Sequence, residues 1–200
     1  MVAGADTAKP LAGLLKVTKC SNETMEARAG SAGFEIAFDA TDCAKCGDWR
    51  LVAQPEDESF LWTTCRISCD SAQPIVVRCP SKSRVLREID NAIAAADWGR
   101  ATLISSDLHA RTGEPKALET YKDATAEFFS VPRENAWKTD AQQGKEVATP
   151  VLVEKIKAFQ KETGLRSTGV IDFPTAVKMA VEGGATAGVG SAPLYKELIR

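Results

Sequence analysis

All six cysteines of this 200-residue chain lie between Cys20 and Cys79, and none follows. That distribution divides the chain before any helix or strand is considered. A segment held by cross-links or a metal can be small and rich in loops, whereas a cysteine-free segment must hold together by packing. The expected boundary is near residue 80. The domains read as 14–80, Cys-rich β; 81–182, helical; and 183–200, a Gly-rich linker ending in a short tail. The fold class expected is α+β.

The first domain reads as strands. Residues 14–19 suit one, and residues 1–13 a loose lead. Phe34, Ile36 and Phe38 alternate with small or polar residues, as a half-buried strand does. Trp49, Leu51 and Ala53 alternate in the same way. Leu61, Thr63, Cys65, Ile67 and Cys69 share one face of residues 60–69. Ile75, Val77 and Cys79 follow a turn at 70–74, which predicts a hairpin between these last two strands. A small antiparallel sheet of four or five strands results.

Beyond Pro80 the apolar period changes to that of a helix. Ser81 or Ser83 caps a helix through Val85, Leu86, Ile89, Ile93 and Ala96 that ends at Trp98-Gly99. Residues 101–111 suit a second helix. Residues 115–129 suit a third, with Leu118, Tyr121, Thr125 and Phe128 on one face. Residues 135–149 are polar and read as a connector with a short helix at Trp137. Thr149-Pro150 is a helix start, and Leu152, Val153, Ile156 and Phe159 recur at helical spacing. Gly164 reads as the stop, Gly169 as a turn, and Asp172 as the start of a last helix carrying Ala176, Val177, Ala180 and Val181.

The order Phe159-Gln160, Gly164-Leu165, Thr168-Gly169-Val170-Ile171-Asp172 and Thr175 resembles the second half of a peptidoglycan-binding-like domain, over about residues 150–182. Members are small three-helix modules, and they often carry Gly where Asp172 stands. The resemblance implies that Arg166, Ser167, Thr168 and Asp172 face wall peptidoglycan. Phe159, Gln160, Gly164, Gly169 and Thr175 would support them, with the Gln160 amide bonding the loop from below.

A protein that meets the cell wall works outside the cytoplasm, periplasmic or secreted. That compartment favours disulfides among Cys20, Cys43, Cys46, Cys65, Cys69 and Cys79. The alternatives are a zinc ion held by Cys43, Cys46, Cys65 and Cys69 and a redox role for Cys43 and Cys46. The opening residues lack a basic, apolar leader, which also fits a mature form. A net charge of −2 gives no electrostatic case for nucleic acid, and no run of eighteen apolar residues spans a membrane.

His109 is the only histidine, so a peptidase site with several histidine ligands cannot be built. Asp107 and His109 do not face each other on a helix. No pair among Glu56, Asp57, Glu58 and Asp90 is singled out as glycosidase carboxylates. The expectation is therefore a non-enzymatic, exported wall-binding protein without a cofactor or metal. The alternatives are a structural adaptor and a cell-wall hydrolase. Leu194, Tyr195, Leu198 and Ile199 would share one face of the tail, docked on its own domain or on a protein partner.

Cross-links over loops of this size stabilise by about 2–4 kcal/mol each. Reductant should therefore lower the melting temperature of the N-terminal domain strongly, and chelator should leave it unchanged. Unfolding by chelator alone would establish zinc instead.

Overall fold

The computed structural model describes residues 2–4, 11–19, 24–29, 48–68 and 77–183. The proposed strand at Phe34–Phe38, Cys20, Cys43, Cys46, Cys69, the Gly-rich linker and the tail residues Leu194, Tyr195, Leu198 and Ile199 lie outside them. The chain forms two compact units that divide between Arg84 and Val85. It is α+β, with an antiparallel sheet followed, among the described residues, by six helices. No helix among the described residues is long and apolar enough to cross a membrane.

The first unit is built on β1 (Val2–Gly4), β2 (Gly13–Thr18), β3 (Thr24–Ala29), β4 (Asp48–Pro55), β5 (Thr63–Ser68) and β6 (Val77–Cys79). Four of these make an antiparallel sheet in the order β3-β2-β4-β5. The alternation read in the sequence is met in β4, where Trp49, Leu51 and Ala53 are buried. Leu15 and Val17 of β2 are buried beside them. These side chains form one core with Leu11, Val77 and Cys79, and half-buried Cys65 packs against it.

Two expectations for this unit are corrected, and one strand was not foreseen. Residues 1–13 are not simply a lead, because β1 is a strand and β2 begins at Gly13. The segment Thr24–Ala29 is a strand although Met, Glu, Ala and Arg favour helix. It lies antiparallel along β2, where Lys16 pairs with Glu26 at 2.7 Å, so sheet pairing overrides local propensity. The predicted hairpin ladder between β5 and β6 is not formed. β6 pairs in parallel with β1, Val2 opposite Val77 and Gly4 opposite Cys79. The antiparallel contact falls earlier, in an isolated Phe60–Ser81 bridge with Leu61 N donating to Pro80 O.

The second unit takes all but the first turn of α1 (Lys82–Ala94) and contains α2 (Trp98–Thr112), α3 (Pro115–Phe128), α4 (Arg133–Ala136), β7 (Trp137–Thr139), β8 (Glu146–Ala148), α5 (Pro150–Glu162) and α6 (Phe173–Glu182). Ser81 Oγ accepts from Arg84 N and so caps α1 as the sequence implied. The helix stops earlier than expected, however, and Trp98-Gly99 opens α2. Ala96 takes φ 53°, and Asp97 N donates to Ala92 O. This is a left-handed helix stop without the glycine that would have announced it. Asp97 then caps α2 by accepting from Arg100 N. The face of α1 that is buried is Val85, Ile89 and Ala92, which leaves Leu86 and Ile93 exposed.

On α3 the fully buried residues are Ala117, Lys122, Ala124, Thr125 and Ala126. Of the predicted face only Thr125 is among them; Leu118, Tyr121 and Phe128 are half-buried. The predicted connector at 135–149 is mostly a β hairpin. Trp137 pairs with Ala148 and Thr139 with Glu146. Asp140 closes its turn by accepting from Gln142 N and Gln143 N, and Gly144 takes φ 63°.

Helix α2 packs on both α3 and α6. At Gly99 a Cβ would stand 2.0 Å from Met179 O, so only glycine lets the α2 and α6 backbones approach this closely. Phe128, Phe129 and Phe159 meet edge to face with centroids 5.0–5.9 Å apart, over a core that includes Leu152, Ile156 and Met179.

A charged network ties α3, α4 and the hairpin together. The Lys122 side chain, 8% exposed, donates to Glu119 at 2.7 Å and Glu146 at 2.6 Å. Arg133 reaches Glu119, Asp123 and Glu146 and lies over Trp137, whose indole N–H donates to Lys122 O. Hydrogen bonds from Arg133, then Lys122, hold the Glu146 carboxyl down at about 2. A depressed carboxylate contributes stability above its ordinary pKa, and the contribution disappears as protonation takes over. The second unit should lose stability as pH falls from about 4.5 to about 2. Thermal melting across that window should show a flatter acid limb for Glu146→Gln.

Candidate functional site

The turn between α5 and α6 is assembled from capping chemistry. Thr149 Oγ1 accepts from Leu152 N to start α5, with Pro150 in its first turn. The helix ends as the sequence predicts. Gly164 has φ 74°, its N–H donates to Lys161 O, and Leu165 N donates to Gln160 O at 2.7 Å. That pair of bonds is a Schellman stop. Asp172 opens α6 by accepting from Thr175 N at 3.0 Å.

Between these caps Gln160 is fully buried and its amide meets five groups. Oε1 accepts from Thr168 N at 2.8 Å and Gly169 N at 2.9 Å. Nε2 donates to Val170 O at 2.8 Å, Thr175 Oγ1 at 2.9 Å and Thr168 Oγ1 at 3.1 Å. Thr175 Oγ1 in turn donates to Asp172. One amide therefore fixes the turn's main chain and the cap of the next helix together. Gly169, at φ 74°, sits on α5, where a Cβ would come 2.7 Å from Val153 Cγ1. Gln160, Gly164, Gly169 and Thr175 thus shape this turn, while Phe159 packs with Phe128 and Phe129.

The four side chains expected to meet a ligand are brought together on this turn, and all are exposed. Their polar atoms are not equally available. Ser167 Oγ donates to Lys157 O, and Thr168 Oγ1 is engaged with Gln160 and with Val170 N. Asp172 gives Oδ1 to Thr175, and the Thr175 hydroxyl above all holds its pKa below the ordinary value. Arg166 has no ion-pair partner among the described residues.

Val170, read in the sequence as one of an apolar pair with Ile171, and Phe173, which was not singled out, are 62% and 49% exposed. The alternation of Val170 outward with Ile171 packed on the core was the available signal.

Other candidate chemistry has local structural roles. His109 Nδ1 lies 3.1 Å from Glu114 O at the end of α2. Asp107 pairs with Arg111, one turn on. Asp57 Oδ1 accepts from Ser59 N and Oγ in the turn after β4. No family model, curated protein or solved structure matches the chain.

Removing the Gln160 amide should unfold the turn locally and weaken the second unit, because each buried partner left unsatisfied costs about 1–3 kcal/mol. Gln160→Ala should cost about 3 kcal/mol or more in chemical denaturation, whereas Arg166→Ala should leave the midpoint unchanged.

Proposed function

We propose that this is a non-catalytic protein that binds bacterial cell-wall peptidoglycan through the α5–α6 turn and works in the periplasm or outside the cell, with its N-terminal domain cross-linked by disulfides. The observation that carries the reading is the clamp made by Gln160. It holds a loop by its main chain while Arg166, Val170 and Phe173 stay exposed, which is how a packed scaffold presents a binding surface. Arg166 supplies the charge for a carboxylate of the wall polymer. The residues that make the clamp are those on which the resemblance to peptidoglycan-binding-like modules rests.

A second reading, a structural adaptor with a protein partner, draws support from the exposed Val170 and Phe173. The two readings separate in one experiment. The full chain should co-sediment with purified peptidoglycan sacculi at low salt, and Arg166→Ala should reduce the pelleted fraction with no change in melting. A folded chain that stays in the supernatant would establish the adaptor reading instead.

A further inference from the structure

We infer that the α5–α6 turn reads the peptide of the wall polymer, by its free carboxylate and an adjoining aliphatic side chain, and not its sugar. This rests on the wall-binding reading and narrows it. The ground is what the turn leaves available. A saccharide offers hydroxyl groups, each both donor and acceptor, and is held by side chains that can answer in both senses. Here Ser167 has given its hydroxyl proton to Lys157 O, the Thr168 hydroxyl is engaged by Gln160 and Val170, and Asp172, which can only accept, gives Oδ1 to Thr175. Arg166 is the one polar side chain of the four with no engaged atom among the described residues. A guanidinium only donates, and its planar fork matches a carboxylate.

The same α5–α6 connection carries Val170 and Phe173, both apolar and exposed. The Val170 main chain is held at its carbonyl by Gln160, and Phe173 follows the Asp172 cap directly. Exposed apolar side chains on the same turn as an available cation suit a ligand that carries an anion and a small aliphatic group. The N-terminus of α6 does not compete for that anion, because the Asp172 carboxylate already occupies it.

The test is calorimetric titration of the full chain with three probes: sugar-free stem peptide ending in a free carboxylate, the same peptide amidated at that end, and glycan strands stripped of peptide. The free peptide should bind and the stripped glycan should not. Amidation and Arg166→Ala should each weaken binding by about tenfold or more, and together by no more than either alone, as expected when both remove one contact. Val170→Ser should also weaken it, with melting unchanged. Binding to stripped glycan, or full peptide affinity in Arg166→Ala, would overturn this inference and leave the wall reading standing. Failure of intact sacculi to pellet the chain would remove both.

Discussion

A single buried amide sets the geometry of the α5–α6 turn. An unsatisfied amide in a protein interior is costly, so Gln160 can be buried only if the chain around it supplies partners of the right kind on every side. The turn does so with two N–H groups and a carbonyl of its own main chain, and α6 adds the Thr175 hydroxyl. The requirement runs both ways. The amide needs the turn in one conformation, and the turn, with few backbone bonds of its own, needs the amide. Thr175 passes the constraint to Asp172, so the start of α6 is fixed by the same group that ends α5.

This arrangement stands on the packing of the whole second unit and not on the two helices alone. Helix α6 lies along α2, where Gly99 admits the Met179 main chain, while Ala101 of α2 packs with Ala92 of α1 and Ala124 of α3. Small side chains let helices approach closely, and dispersion contacts rise steeply as they do. On the other flank, the Phe128–Phe129–Phe159 cluster binds α5 to the end of α3. The α5–α6 pair thus takes its support from helices well upstream in sequence.

How much was legible follows from how local each signal is. The α5–α6 turn was readable almost residue by residue, because caps, a Schellman glycine and a helix-starting Asp act over three to five positions. The strand β4 was readable from strict alternation. What failed depended on partners remote in sequence. Thr24–Ala29 becomes a strand only because β2 offers an edge, and β6 finds β1 across most of the first unit. The end of α1 was missed for a different reason: Ala96 takes a left-handed conformation that sequence rules assign to glycine. Within the candidate site, residue membership of the turn was legible. Which side chains keep their polar atoms available was not, since that depends on hydrogen bonds formed only once the turn is folded.

The direction of the Gln160 bonds has a consequence for how such a surface changes over time. The amide grips two peptide N–H groups and a peptide carbonyl, and every residue type except proline offers these alike. Arg166 and Val170 can therefore be exchanged without disturbing the clamp, whereas Gln160, Gly169 and Thr175 cannot. A lineage carrying this turn is free to alter what it recognises through a few exposed positions while inheriting the same framework, in the manner of an interchangeable tip on a fixed handle.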